Sequence, residues 1–285
     1  MLEAGDVPLA EHHLDEFGRY AHDLRVPGAL YLHKVNAAMW AYLRGDLGVG
    51  EALSLDALSF GQKHVGMAAE EHLVQLFFLY MEQGRLAELL PAQRAFVEQN
   101  ASRPWAAAIR AALGFACAES GDLDGAREQL NILIAGDCGG IPFDESWLVA
   151  MTFLAEIAVR LGSEHCAALY RLLAPYPDRN ILVYPGVCLG SSSRPLGLLA
   201  SALHRWDEAE RHFADALAMN SKMGARAWVA RTQLNYVQML LAREGPGDRE
   251  KARSLLQEAL GAARQMGMVK VASDCEALLP TVGHA

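Results

Sequence analysis

The chain has 285 residues, and its contents of 52% hydrophobic and 21% charged residues indicate a folded protein and not a disordered one. A net charge of −9, from 25 Lys and Arg against 34 Asp and Glu, argues against unassisted binding to nucleic acid or to an anionic membrane. The five cysteines form an odd set without a C-x-x-C pair, which suggests neither a disulfide framework nor a zinc site.

The first residues, MLEAGDVPLAEHH, have neither the basic start nor the apolar run of a signal peptide. No apolar stretch approaches the roughly 18 to 20 residues that are needed to span a bilayer. Because the thiols are also expected to be reduced, we predict a cytoplasmic protein.

Helical patterns follow one another along the whole chain, since Ala, Leu, Arg, Glu and Gln recur with apolar residues at steps of three and four. We expect a first helix near 8–25 and a short C-terminal cap that ends near 279. Six helix pairs are predicted between them, at about 28–64, 67–100, 103–135, 144–174, 193–223 and 225–267. One single domain over 1–285 is expected, because no linker divides the chain.

Short turn signals punctuate these pairs at intervals of 37 to 43 residues, at Gly45, Gly84, Gly121, Gly162, Arg205 and Gly247. Glycine takes the left-handed conformation that ends a helix, and an Asp or Ser just after it can cap the next one. A regular spacing of this length indicates a repeat of two helices and two turns. The sequence therefore predicts an all-α fold, an α-solenoid of about six tetratricopeptide-like helical hairpins in a right-handed superhelix.

Packing positions within the pairs follow a small, large, small pattern, as in Ala209, Phe213 and Ala216. Ala252, Leu256 and Ala259 repeat the pattern. Small residues let the helices of a hairpin approach closely, and the large residue fills the groove to the next hairpin. Aromatic residues that recur at similar places are assigned to the same packing: Trp40, Phe77, Phe78, Trp105, Trp147, Trp206 and Trp228.

The helical rhythm breaks near 175–193, where three prolines and two glycines lie within a short distance. We predict an ordered loop there. The run from Gly186 to Ser193 offers amides of the kind that receive an anion, but no lysine follows it, and we interpret it as the entry to the next repeat. Cys188 within it is expected to be a buried thiol, because no His or acid is tied to it by spacing.

The segment RPLGLLASALHRWDEAERHFADALAMNSKMGARAWVARTQLNYVQMLLAREGPGDREKARSLLQEALGAARQMGM, from Arg194 onward, closely resembles the C-terminal helical repeats of large bacterial signalling proteins. These are LuxR-type transcriptional regulators and class III adenylate and guanylate cyclases, in which a P-loop ATPase module precedes the repeats. YLRGDL at 42–47, EQGRLAELLPAQRAFV at 82–97 and DESWLVAMTFLAEIAVRLGS at 144–163 fall in the order that this resemblance implies.

The other modules of such regulators have no counterpart in the sequence. It contains no G-x-x-x-x-G-K-[ST] phosphate loop and no cyclase-like segment. The residues after Met268 are too few for a helix-turn-helix domain. We therefore expect a chain without catalytic activity and without a cofactor, which acts beside the missing ATPase, cyclase or DNA-binding domains or docks a protein partner. A homodimer is an open alternative.

The side chains that are chemically capable of binding a metal or of acid–base catalysis are interpreted as surface residues. His12 and His13 lie among acidic residues, but neighbouring side chains on a helix diverge, and no metal site is predicted. Glu70 with Glu71 is likewise expected to be a solvated pair and not an acid–base pair.

Two polar stripes are the candidate binding residues on the concave face, which the first helix of each pair generally lines. The first stripe is Arg231, Asn235 and Gln238, and the second is Glu71 and Gln75. The alternative is that both simply face water. Two functions follow: a scaffold for protein–protein interaction in bacterial signalling or transcription control, or a sensor that receives a small-molecule inducer, as the resemblance to sugar-responsive regulators implies.

Overall fold

A computed structural model of the protein describes residues 1–66, 68–135 and 141–283. These residues form fourteen α-helices and one small sheet of two antiparallel strands. The helices are α1 (Val7–Leu24), α2 (Pro27–Arg44), α3 (Leu47–His64), α4 (Ala68–Gln83), α5 (Leu90–Gln99), α6 (Ala106–Glu119), α7 (Leu123–Ile134), α8 (Trp147–Leu161), α9 (Cys166–Leu173), α10 (Ser193–Ala202), α11 (Trp206–Lys222), α12 (Arg226–Arg243), α13 (Asp248–Met266) and α14 (Val269–Val282). The prediction of an all-α fold is confirmed, apart from the small sheet. Each predicted helix pair corresponds to two successive helices of the structure.

The turns inside the pairs use the backbone conformation that the sequence predicted. Left-handed φ angles occur at five of the six predicted turn markers, namely Gly45, Gly84, Gly121, Gly162 and Gly247. At the remaining marker the left-handed residue is His204, with φ 56°, and not Arg205. Asp122 caps α7, since its carboxylate accepts a hydrogen bond from the Gly125 amide at 2.9 Å. The side chain of Asp46 makes no such bond to α3.

The break near 175–193 is an ordered β-hairpin, whose strands the sequence analysis did not predict. Strand β1 (Asn180–Val183) pairs with β2 (Val187–Ser191), and Val183 lies opposite Val187 next to the turn. Several hydrogen bonds hold this hairpin to distant parts of the chain. The Asn180 amide donates to the Leu2 carbonyl at 3.0 Å, the Trp228 indole donates to the Cys188 carbonyl at 2.8 Å, and the Ser191 amide donates to the Asn220 side chain at 2.9 Å. A further bond, from Gln75, is described with the site.

Later helices pack back onto earlier ones. Helices next to each other in sequence are in contact, except that the 3-10 turn Leu86–Leu89 lies between α4 and α5 and contacts both. The even-numbered helices α6, α8, α10, α12 and α14 also contact one another in turn. In addition, α12 packs against α2, and α14 packs against α4. The ring of Phe78 in α4 also lies 6.0 Å from that of Trp228 in α12. The main apolar core contains residues from Leu2 to Val282, and Tyr31, Val35, Ala57 and Ala68 form a smaller separate cluster.

The residues predicted to pack the hairpins do so. Ala209, Phe213 and Ala216 are fully buried, and so are Ala252, Leu256 and Ala259. Of the seven predicted aromatic packing residues, Trp105 and Trp206 are half-buried and the others are buried. Within the described ranges, no helix has both the length and the apolar character that crossing a membrane requires.

Candidate ligand-binding site

A pocket lies between the β-hairpin and helices α4, α5, α6 and α8, and we call it the hairpin pocket. Its outer part has a volume of about 300 Å³, at the lower end of the range for ligand sites. An inner part of about 90 Å³ adjoins it. The outer part is lined by Leu32, Glu70, Glu71, Val74, Phe96, Trp105, Ala108, Ile109, Glu145, Ser146, Val149, Leu182, Val183, Tyr184, Pro185 and Gly186.

The walls of the hairpin pocket are mainly apolar. Both parts share six lining residues, which are Val74, Phe96, Ala108, Ile109, Val149 and Val183. Beyond them the inner part reaches Phe77 and Phe153, whose rings lie 5.8 Å apart. Helices α4, α6 and α8 supply this surface because each is apolar on the side that faces the hairpin. The pocket can therefore hold an apolar molecule at little desolvation cost.

Carboxylates gather at the outer part of the pocket. Glu70 and Glu71 come from the first turn of α4, and the exposed Glu145 comes from the segment before α8. Glu71 is half-buried, and its Oε2 atom is buried without a hydrogen-bond partner among the described residues. Burial, and then the charge of Glu70, raise the pKa of Glu71 to about 7. The expectation that Glu70 and Glu71 form a solvated pair is wrong for Glu71, because the hairpin and α2 cover that side of α4.

Gln93 of α5 places a second unpaired acceptor in the wall of the inner part. Its side chain is only 6% exposed, and its Oε1 atom has no hydrogen-bond partner among the described residues. The sequence analysis did not single out Gln93. A lone glutamine in an amphipathic helix carries no pattern that separates a pocket wall from an ordinary surface.

Gln75, one of the predicted binding residues, anchors the hairpin. Its side chain is 1% exposed, and its amide nitrogen donates to the carbonyls of Val35 at 2.9 Å and Gly186 at 3.0 Å. The prediction that Gln75 lines an open face is corrected, because these two bonds bury it. Of the second stripe, only Glu71 reaches the pocket.

The first predicted stripe lies at a different cavity, of about 160 Å³, where α6, α8, α12 and α14 meet. Arg231, Asn235 and Gln238 all line it, together with Glu119, Glu156 and Arg160. Arg231 is nevertheless buried, and its guanidinium donates to Glu82 at 3.0 Å. The prediction that Arg231 lies on an open concave face is therefore corrected, and so is the alternative that it faces water, because Glu82 of α4 covers it. Gln238 is exposed and Asn235 is half-buried.

Most polar groups around this second cavity are bonded to one another, but the Nε atoms of Arg231 and Arg194 are buried without a partner among the described residues. Arg194 donates to Glu156 and to Asn235, the latter at 3.2 Å, and Asn235 donates to Gln238 at 3.3 Å. Arg160 pairs with Glu119 at 2.9 Å. A ligand here competes with several existing bonds and meets unpaired donors, whereas the hairpin pocket is wider and offers unpaired acceptors.

The run from Gly186 to Ser193 forms β2 and the start of α10, and its last two serines are bonded to the backbone that precedes the hairpin. The hydroxyls of Ser192 and Ser193 donate to backbone carbonyls between Tyr176 and Arg179, the Ser193 bond to Pro177 having a length of 3.0 Å. Cys188 is buried, and burial raises its pKa to about 12, so its thiol is a poor nucleophile at neutral pH. Cys138 lies outside the described residues.

Two histidines and a glutamate on α1 lie close enough together to bind one metal ion. The ligand atoms of His12, His13 and Glu16 lie within 4.8 Å of one another. The two histidines are exposed, and each already lies within salt-bridge distance of Glu16, at 3.5 Å and 3.4 Å. Exposed groups of this kind are common on helices, so this cluster carries no assignment.

Comparison with known proteins adds no family assignment. No family model matches the chain, and no curated protein matches it either.

Proposed function

We propose that this chain is a non-catalytic regulatory helical-repeat domain that receives a small, largely apolar molecule in the hairpin pocket. The observation that carries the proposal is the pocket of about 300 Å³ with an apolar wall and unpaired acceptors. This is the sensor function that the sequence left as an alternative. The sites of such molecules are typically apolar concave surfaces with a few polar groups that fix orientation.

The hairpin suits a regulatory role, because it is both a wall of the pocket and a link between distant segments. Val183 and Gly186 line the pocket. The same hairpin is bonded to the N-terminus through Asn180 and to α12 through Trp228. A ligand that contacts the hairpin turn therefore acts on a segment that is bonded both to the N-terminus and to α12, and a different affinity for two arrangements of these contacts would shift their populations.

We also propose that the helix pairs form an α-solenoid with a right-handed superhelical path, which contacts of α12 with α2 and of α14 with α4 close on itself, and that it is related to the repeat regions of LuxR-type regulators and class III cyclases. The left-handed glycines at regular intervals support it, as does the series of contacts among even-numbered helices. Cys117, Cys166, Cys188 and Cys275 are free and buried, which fits the cytoplasmic location that we propose.

A pocket-filling substitution tests the ligand-binding function. We expect 4-phenyl-1-butanol, a neutral probe, to raise the midpoint of thermal unfolding of the full chain. Ala108 lines both parts of the pocket, so Ala108→Leu should remove that rise without lowering the midpoint of the free protein. Ala214→Leu, at an exposed position of α11, is the matched control and should respond like the wild type. An equal response in all three proteins would exclude the hairpin pocket.

Docking of a protein partner, the first expectation from the sequence, remains a second proposal. Exposed apolar side chains at the end of α1 favour it, since Tyr20 is 63% and Leu24 is 71% exposed. The partner proposed is a second copy of the chain. Sedimentation velocity should show a concentration-dependent dimer that Leu24→Glu removes, and a monomer at every concentration would rule this second proposal out.

A further inference from the structure

The unpaired polar atoms of the hairpin pocket indicate the chemical class of its ligand. On the basis of the proposed ligand-binding function, we propose that the pocket takes an apolar amine, a small molecule with an apolar body and one protonated amino group. The ammonium group lies against the carboxylates of Glu70 and Glu71, and the apolar body lies against Phe96, Ile109 and Val149.

The charge around the pocket has one sign. Glu70, Glu71 and Glu145 line its outer part, and within the described residues no Lys, Arg or His lines either part. A ligand carboxylate or phosphate there meets three like charges across walls of low polarity, where repulsion is strong. A cationic ligand is instead attracted by these three carboxylates, so the pocket favours a positively charged ligand.

Glu71 needs a hydrogen-bond donor. Its Oε2 atom is buried and has no partner among the described residues, and a buried acceptor in this state is unfavourable until a donor reaches it. Its pKa near 7 has the same cause, because burial and Glu70 both disfavour the charged form. A bound ammonium group opposes both effects, since it donates to the oxygen and neutralises the charge.

Gln93 gives independent support for a ligand that carries donors. The carboxamide is more than nine-tenths buried in the wall of the inner part, and its Oε1 atom is unpaired among the described residues. An oxygen in this position matches an N–H or O–H on the ligand body. Each part of the hairpin pocket thus has one buried polar atom without a partner among the described residues, Oε2 of Glu71 in the outer part and Oε1 of Gln93 in the inner part. Both atoms are hydrogen-bond acceptors.

An aromatic wall stands beside the carboxylates. The rings of Phe96 and Trp105 stack at 5.8 Å with an angle of 26° between their planes, and both residues line the outer part. Aromatic faces attract ammonium groups, and indole does so most strongly. The combination of carboxylate and aromatic surface favours an amine over a neutral alcohol of the same shape.

A matched series of probes tests the charge preference. The probes are 4-phenylbutylamine, 4-phenyl-1-butanol and 4-phenylbutyrate, which share one apolar body and carry a cation, a neutral group and an anion. Calorimetric titration of the full chain at low salt and at about pH 8, where Glu71 is mostly ionised, gives three dissociation constants. We expect the amine to bind at least about tenfold more tightly than the alcohol, and the butyrate to bind most weakly.

Glu71→Gln identifies the residue that is responsible. The variant should bring the affinity of the amine to within about twofold of the affinity of the alcohol, because it removes the charge but keeps the shape. Glu98→Gln, which removes a carboxylate from the exposed face of α5, should keep the tenfold preference. If Glu71→Gln does not fold, Glu145→Gln at the exposed rim should still reduce the preference about threefold.

The outcomes separate the ligand class from the proposed function. If the alcohol or the butyrate binds as tightly as the amine and Ala108→Leu abolishes binding, the amine proposal is overturned and the pocket keeps its function. If none of the three probes binds the wild-type chain, the proposed function itself fails. A preference for the amine that persists in both Glu71→Gln and Glu145→Gln also overturns the assignment.

Discussion

Glu82 of α4 and Arg231 of α12 form an ion pair at 3.0 Å although 149 residues separate them in the sequence. Both side chains are almost fully buried. Burial raises the pKa of Glu82, and the Arg231 guanidinium opposes that rise. The pair thus fixes the packing between an early and a late helix, and each charge depends on the other for compensation.

Removing one partner of this pair should be strongly destabilising. Arg231→Met leaves the buried Glu82 carboxylate without compensation, so we expect a loss of about 3 to 5 kcal/mol in the free energy of unfolding, measured by urea denaturation. The double variant Glu82→Leu with Arg231→Met should recover most of that loss. Arg264→Met, which breaks an exposed pair with Glu276, is the control and should cost less than about 1 kcal/mol.

Phe213 tests the assignment of packing residues. Its ring is fully buried and stacks on Tyr236 at 5.5 Å. Phe213→Ala should lower the free energy of unfolding by about 3 to 5 kcal/mol, because it leaves a cavity between α11 and α12. Phe143→Ala makes the same change at a side chain that is 72% exposed, and there we expect less than about 1 kcal/mol. Similar losses at both sites would contradict the assignment.

Gln75 should control the order of the hairpin. Gln75→Leu leaves the carbonyls of Val35 and Gly186 without their donor, which should cost about 1 to 3 kcal/mol. We expect faster amide hydrogen exchange in residues 182–188 than in the wild type. Gln257→Leu at an exposed position of α13 should leave exchange in the hairpin unchanged. Unchanged exchange in Gln75→Leu would mean that other contacts hold the turn.

Glu71 should make stability depend on pH. Because its pKa is about 7 in the folded protein against an ordinary value of 4.5, the folded state holds the proton more tightly than the unfolded state does. The stability gained from this proton is present below about pH 4.5 and is lost as the pH rises through about 7. We therefore expect the unfolding midpoint to fall from about pH 5 to pH 8 by more in the wild type than in Glu71→Gln.

Other groups near Glu71 do not reverse this sign. Tyr31 of α2 stays neutral throughout the range, because burial and the charge of Glu71 raise its pKa to about 12. Glu70 and Glu145 also face the pocket and are present in both proteins, so the comparison measures the effect of Glu71 together with its repulsion by Glu70. Glu98→Gln should follow the wild-type profile, and a Glu71→Gln profile that coincides with both would refute the role of Glu71.

The sequence was sufficient for the helices and their turns, because both depend on local properties. Gly45 and Gly121 end helices through backbone freedom, and the periodic burial of Phe213 and Leu256 follows from helical spacing. The hairpin was missed as strands because each apolar run is short and a proline lies between them. It is held in place by bonds from Gln75, Asn180 and Trp228, which join segments far apart in the sequence.

The candidate site was only partly predictable for the same reason. Glu71 was selected from its position on a first helix, and it does line the hairpin pocket. Its burial comes from the hairpin and α2, which no local pattern records. Arg231 was selected by the same rule, yet α4 covers it through Glu82. Helical periodicity indicates which face of a helix is polar, but it does not indicate which other helix meets that face.

The packing of α12 on α2 and of α14 on α4 has a consequence for how the chain unfolds. In an open repeat array each unit contacts only its neighbours, so stability is a sum of local contributions and the ends fray first. Here the last helices are also neighbours of the first ones, and loss of α14 exposes part of α4. Unfolding should therefore be a single cooperative transition that involves both termini together.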